Sequence, residues 1–420
     1  MDVNYKNKRR YKTAKYPIRQ PIYLTWLIWF LSKIMLFGKK RKVERIGMDG
    51  LKGPYMLLSN HMSFVDFELI AEGTYPQRMN NVVSIDGYYM RPWLMEWIGS
   101  ICTRKFTMDL HLIKSIRKVL ERGDVLCMYP EARYSPCGVS SYMPDSLGQL
   151  VKRCGVPVVT ALHRGNYLHQ PFWNFRQKRK VPLHTTLTLL LTADDVNALT
   201  PDEINAKLRE ALTYDEYKYQ KDNGILITEP YRAEGMHKIL YKCPHCKTES
   251  KMASKGAEIF CTECGKRWEL LECGDLKAKE GETEFVRVPD WFEWERLEVV
   301  REVEEGSYSF SDEVEVYSMP RCYKFEPLGK ASLAHDPING FVLSGNYRDA
   351  DYRIQRAPMQ TNSLHIEYDF QHVKPLDCVD ISTENDSFYC YPTKENVITK
   401  LAFATEAIYQ KSSKQTAKNK

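Results

Sequence analysis

Beyond Lys42 the chain alternates short, continuous apolar runs with amphipathic segments. The runs fall at residues 55–58, 81–85, 125–129, 156–162 and 185–191. Unbroken apolarity suits strands that are covered on both faces. Helical periodicity between them is clearest over 110–122, where Leu112, Ile116, Val119 and Leu120 share one face and Gly123 supplies a stop. Thr200-Pro201-Asp202-Glu203 opens another helix with a cap, a first-turn proline and a capping acid. Strands alternating with helices predict an α/β domain over residues 43–235, its sheet mostly parallel and flanked by helices.

Two other patterns flank this domain. Residues 22–37 are apolar, with two tryptophans and an internal lysine. As a helix they reach about 24 Å, short of the roughly 30 Å hydrocarbon core. Leu24, Leu27, Ile28, Leu31, Ile34 and Met35 form one stripe, with Thr25, Ser32 and Lys33 elsewhere. The segment is expected to lie in a membrane interface, and a buried core helix is the alternative. Toward the C-terminus, beyond the charged stretch 277–282, Glu313-Val314-Glu315-Val316-Tyr317 and the seven residues 364–370 alternate with the period of half-buried antiparallel strands. A helix over 393–411 closes a β-rich domain of residues 280–411, which resembles a pleckstrin-homology-like barrel. Residues 412–420 are expected to be a disordered tail.

At 420 residues the chain is long enough for two or three domains. The net charge of +6 matters less than its placement at Lys6-Asn7-Lys8-Arg9-Arg10 and Lys39-Lys40-Arg41-Lys42, on either side of the apolar segment. Such clusters are drawn to anionic head groups, which makes residues 1–42 a basic arm and an interface helix. The absence of charge asymmetry between the flanks argues against a span, and no small-residue cleavage site follows. Cys243-Pro244-His245-Cys246 and, fourteen residues later, Cys261-Thr262-Glu263-Cys264 have the spacing of a zinc ribbon, placed at 236–275. Four protein thiolates make the zinc structural, with His245 an unneeded substitute. The other eight cysteines have no framework spacing, as in a reducing cytoplasm. Acids dilute the ribbon's lysines, and only Phe260 and Trp268 could stack on bases, so a connector is favoured over nucleic-acid binding.

The candidate chemistry sits at strand exits, where open α/β sheets bind ligands. The run at 55–58 ends at Asn60-His61, with Asp66 five residues on, and the run at 125–129 ends at Pro130-Glu131-Ala132-Arg133. His61 suits a general base oriented by the Asp66 carboxylate. Ser63-x-x-Asp66 equally fits a helix start, with Asp66 favouring the first turn. Gly99-Ser100-Ile101-Cys102-Thr103-Arg104-Lys105 adds two cations suited to a phosphate or carboxylate. No Gly-x-Ser-x-Gly elbow is present.

Asn60-His61-x4-Asp66, Gly99-x-Ile101 with Arg104-Lys105, Tyr129-Pro130-Glu131 and Val156-Pro157-Val158-Val159 together resemble the four ordered blocks of the glycerolipid acyltransferase family, over about residues 45–230. The resemblance implies that His61 is the base on a glycerol hydroxyl and Asp66 its orienting acid. It also implies that Arg104 or Lys105, with Glu131 and Arg133, holds the acceptor's phosphate. The implied donor is an acyl thioester on coenzyme A or acyl carrier protein, and the implied acceptor a lysophospholipid, most simply 1-acyl-glycerol-3-phosphate. The expected location is the cytoplasmic face of a membrane, peripheral or monotopic. The third block departs from the family's Phe-Pro-Glu-Gly-Thr-Arg: Ala132 replaces the glycine and Arg133 comes one residue early. That departure leaves open another lysolipid or lipid alcohol as acceptor, or a membrane-tethered binding protein with a degenerate acyltransferase fold.

Overall fold

The computed structural model describes Val3, residues 11–13, 15–107, 109–370 and 372–418. The basic cluster at Lys6–Arg10 lies outside them. The chain divides into two compact units. One comprises Lys12–Thr103 and Asp109–Glu229; the other comprises Pro230–Lys420 with Arg104–Met108 and Met1–Tyr11.

The first unit is α/β. Its helices are α1 (Ile22–Met35), α2 (Asp66–Thr74), α3 (Pro92–Trp97), α4 (Leu110–Glu121), α5 (Ser146–Cys154), α6 (Asn166–His169), α7 (Ala193–Ala198), α8 (Pro201–Leu212) and α9 (Glu216–Asp222). Its strands are β1 (Arg41–Ile46), β2 (Tyr55–Ser59), β3 (Met79–Ser84), β4 (Ile101–Thr103), β5 (Val125–Met128), β6 (Val158–Arg164) and β7 (Leu183–Leu191), in the order β1-β7-β6-β2-β5-β3-β4. All neighbours pair in parallel except β6 and β7. The five apolar runs are the five inner elements of this sheet, and β2 is buried along its whole length. Met56, Leu58 and Leu126 face one apolar layer with Ile116, Val119, Leu147 and Ile204; Tyr55, Leu57 and Val125 face the other with Ile70 and Leu187. Strands β1 and β4 are additions to the sequence reading. The first had been counted as part of a basic run, yet Arg41 bonds Glu72 (2.8 Å) and Lys42 pairs with Glu44 (2.6 Å). Intramolecular ion pairs thus take up much of the charge that was assigned to lipid.

In helix α1 only Leu24 of the expected stripe is buried. Leu24, Thr25 and Ser32 are its buried positions. Thr25 donates to Gln20 Oε1 (3.0 Å), and Lys33 reaches Glu72 on α2 (2.5 Å). The polar side therefore faces the protein, and Ile22, Tyr23, Trp26, Leu27, Phe30, Leu31, Ile34 and Met35 face outward, with Phe37 87% exposed beyond them. No helix among the described residues is long and apolar enough to cross a membrane.

The second unit opens with a four-stranded sheet, β8 (Met252–Lys255), β9 (Glu258–Cys261), β10 (Arg267–Leu270) and β11 (Leu276–Ala278), in the order β11-β10-β9-β8. Strand β11 carries the ribbon beyond 275 into the charged stretch 277–282. Helix α10 (Val288–Glu305) follows, and its acid-rich sequence had hidden it. Seven antiparallel strands come next: β12 (Phe310–Arg321), β13 (Lys324–Asp336), β14 (Gly340–Tyr347), β15 (Ala350–Arg356), β16 (His365–Glu367), β17 (Cys378–Ser382) and β18 (Ser387–Pro392). Their linear order, β15-β14-β13-β12-β18-β17-β16, leaves β15 and β16 at the edges instead of closing a barrel by strand pairing. Val314 and Val316 are buried as the alternation predicts. The alternation at 364–370 is misleading, because Leu364, His365 and Ile366 are all buried and only three residues form a strand. Helix α11 (Ile398–Lys418) replaces the expected disorder over 412–418. Its Phe403, Ala404, Ala407 and Ile408 pack with Val299 and Val303 of α10, and the Lys411 ammonium donates to Val303 O (2.7 Å). An anchored helix propagates at little further cost.

Candidate active site and metal centre

Strands β2 and β5 are parallel neighbours, with Leu58 opposite Met128, so the two exits lie side by side. The loops are tied where they leave the sheet, by Ser135 N–H donating to His61 O (2.8 Å). Asn60 is stitched to β6: its amide donates to His163 O (3.1 Å) and its Oδ1 accepts His163 N–H (2.8 Å). His61 thus stands on a fixed loop, its side chain 17% exposed and within reach of a reactant.

Helix α2 begins at Asp66, three residues later than the capping pattern suggested. Instead of Ser63 capping the helix, the Asp66 carboxylate reaches back over the loop. Its Oδ2 accepts Met62 N–H (2.7 Å) and Ser63 N–H (3.1 Å) and lies 3.0 Å from His61 Nδ1. Asn166 donates to Oδ1 (2.7 Å). Burial favours the neutral acid, but the nearby His163, the His61 bond and charge, and Asn166 outweigh it and hold Asp66 below its ordinary carboxylate value. An ionised Asp66 keeps the proton on Nδ1 and the lone pair on Nε2, the tautomer that a general base requires. The imidazole rests against Tyr129 (ring centroids 3.9 Å) and Tyr134 (3.8 Å), which fix its plane. Tyr134 and Phe64 continue into an aromatic wall with Phe172 and Phe175.

The remaining assigned residues divide. Glu131 is buried and accepts Ser141 N–H (2.8 Å), so its carboxylate braces its own loop; burial pushes it up to about 7, against the Ser141 bonds and the Arg133 charge. Arg133 is half-buried on the same loop. Ala132 takes φ +54°, the left-handed bend that glycine favours, so the lost glycine costs about 1 kcal/mol without changing the turn. Arg104 and Lys105 directly follow β4 (Ile101–Thr103). They belong to the other unit, where Lys105 Nζ is 2.6 Å from His365 Nε2 and Arg104 donates to Glu384 O (3.2 Å). Arg356 donates to Phe106 O (3.0 Å) on the same segment.

Sequence reasoning missed Tyr129, Tyr134, His163, Asn166 and Glu216. The logic of strand exits that found His61 also applies to β6, whose last residues run directly into Gly165-Asn166. Glu216 is fully buried at the start of α9, and burial pushes it up to about 8, against partial compensation by Tyr214 and the backbone of Leu168 and Gly165. Between its ordinary 4.5 and about 8, folded Glu216 holds a proton that the unfolded chain has released, so folding stability falls as pH rises through that interval. Glu216→Gln is expected to flatten this decline in urea midpoints measured from pH 5 to 9. An unchanged slope would show that Glu216 is not the proton carrier.

The Sγ atoms of Cys243, Cys246, Cys261 and Cys264 all lie within 4.8 Å of one another. Cys243 to Cys264 and Cys246 to Cys261 are each 3.8 Å. A zinc ion with bonds of about 2.3 Å to four tetrahedral sulfurs sets them about 3.8 Å apart, so the donor set fits a closed structural site. His245 is exposed and pairs with Glu284 (3.3 Å) outside the cluster. Trp268 is wholly buried, its indole N–H on Glu284 (3.0 Å), and Arg267 lies over one face of the half-buried Phe260.

No protein-family model and no curated protein matches the chain. Among solved structures, it is similar to the 1-acyl-sn-glycerophosphate (LPA) acyltransferase PlsC from Thermotoga maritima. The likeness has a TM-score of 0.36 and 14% identity, over 45% of this chain and 78% of that one.

Proposed function

We propose that this protein is an O-acyltransferase that moves a fatty acyl group from a thioester to the hydroxyl of a lysolipid at a membrane surface. The observation that carries the reading is the His61–Asp66 pair at adjacent parallel strand exits, on residues that resemble the glycerolipid acyltransferase blocks. The acceptor hydroxyl donates its hydrogen bond to His61 Nε2 and attacks the thioester carbonyl as Nε2 takes the proton. Collapse of the tetrahedral adduct expels the thiolate, which recovers that proton, and the ester forms with His61 neutral again. A lysophosphatidate acceptor in phospholipid synthesis, with coenzyme A or acyl carrier protein as donor, rests on the sequence blocks. Arg133 is the block cation on the loop that Ser135 N–H ties to His61 O. Thiol release from an acyl thioester, measured with lysophosphatidate, other lysophospholipids and a fatty alcohol, tests the reading. Acceptor-dependent release is expected, and release with none of them would refute it.

The outward apolar face of α1 supports the membrane part of the proposal. Serine at Ile34, Met35 and Phe37, which are 56%, 60% and 87% exposed, removes mostly exposed area, so the melting temperature should hold while partitioning to anionic vesicles drops about tenfold or more. Undiminished vesicle flotation would contradict a docking role for this face. Zinc at the four cysteines completes the proposal as a structural ion.

A further inference from the structure

We propose that Asn166 is a positioning residue of the dyad, whose side-chain amide fixes the Asp66 carboxylate with Oδ2 turned to His61. The proposal rests on the acyl-transfer reading for its kinetic consequences and on geometry for the rest. The two oxygens of the ionised Asp66 carboxylate are equivalent, so what its donors fix is the plane of the group about the Cβ–Cγ bond. Met62 N–H, Ser63 N–H and His61 Nδ1 engage one oxygen, and Asn166 Nδ2 engages the other. Only one plane of the carboxylate therefore satisfies every donor, in a site where both side chains are wholly buried and an unpaired carboxylate oxygen would be costly. The backbone leaves Asn166 little freedom. Gly165 before it has φ +80°, and a Cβ there would stand 2.1 Å from Pro182 O. Asn166 O in turn accepts Gln170 N–H (3.1 Å).

The surroundings show what this amide decides. Asp66 interacts with His61 from the β2 exit, His163 from β6, Glu68 from its own helix, Tyr129 and Glu131 from the β5 exit and Glu216 from α9. Burial raises Glu68 and Glu131 to about 7 and Glu216 to about 8, whereas Asp66 is lowered. In a cluster of four buried acids the donors thus select which one stays charged, and Asn166 is the side-chain donor given wholly to that task.

The test uses full-length protein carrying 13C at the aspartate carboxyls, with the Asp66 signal assigned from Asp66→Asn. In Asn166→Ala the Asp66 titration is expected to rise by about one pH unit. The acid limb of kcat/KM should move upward with it, and kcat should fall about tenfold or more with the acceptor KM unchanged. Asn166→Asp is the discriminating variant. A carboxyl sharing one proton with Asp66 can still donate as the amide does, so activity should persist at low pH and acquire a new alkaline limb as that proton leaves. A merely structural asparagine would lower activity at every pH without either change. An unmoved Asp66 titration in Asn166→Ala overturns the proposal whatever the activity. A shifted titration in a protein that esterifies no lysolipid upholds Asn166's role and removes the acyl-transfer reading instead.

Discussion

His61→Ala is expected to lower acyl transfer by about 10²–10⁴-fold, the contribution of a positioned general base, while the protein remains folded and bound to vesicles. The ring is not part of the apolar core. It stands partly exposed on a loop held by backbone bonds, including Ser135 N–H to His61 O, and these survive the truncation. The variant does leave Asp66 Oδ2 with two backbone donors instead of three partners, a modest loss that a melting curve would register separately. Asp66→Asn should come close to the same kinetic effect by another route. An amide at that position can accept from Met62 and Ser63 but cannot hold a proton on His61 Nδ1 by charge, so the base loses both tautomer and orientation. Wild-type turnover in either variant would mean that the hydroxyl proton goes elsewhere.

Chelation should have the largest effect on stability. Structural zinc in small ribbons supplies on the order of 10–16 kcal/mol of apparent binding free energy, more than the backbone bonds that close the two knuckles, such as Cys243 N–H to Thr248 O and Cys261 N–H to Lys266 O. The knuckles sit on short strands whose buried side chains are few, Met252, Ile259, Trp268 and Leu270 among them. Purified protein is expected to carry about one zinc per chain. Its removal, or Cys261→Ser, should lower the melting temperature of the second unit by about 10 °C or more and expose Trp268 to solvent, read by fluorescence. Metal-free protein that melts unchanged would assign the cysteines another purpose.

The central strands and the dyad were legible in the sequence because each rests on local pattern. Unbroken apolar runs mark the inner strands, and a polar cluster directly after a run marks a strand exit. What escaped depended on partners far along the chain. Strand β1 reads Arg-Lys-Val-Glu-Arg-Ile because it is an edge strand with half-buried faces, and its charges find Glu72 and His184 only after folding. Helix α10 and the last turns of α11 are too polar to declare themselves, although α10 buries one face against Phe403, Ala404, Ala407 and Ile408 earlier in α11. Helix α1 turns most of its apolar stripe outward and sets Thr25, Ser32 and Lys33 against the protein, a choice the pattern leaves open, since a helix with one apolar side and one polar side does not itself say which faces the protein. Asn166 lies a hundred residues from Asp66. Arg104 and Lys105 teach the complementary point: the two cations directly after β4 belong to the second unit, where Lys105 meets His365 on β16 and Arg104 the loop between β17 and β18.

The most direct measurement is a single-vessel stoichiometry with the purified full-length chain on anionic vesicles, counting thiol released from an acyl thioester and ester formed on lysophosphatidate or another lysolipid. The account predicts one ester per thiol, dependence on the lysolipid, and loss of both products together in His61→Ala. Thiol release without ester, or equal yields from His61→Ala and wild type, would contradict it.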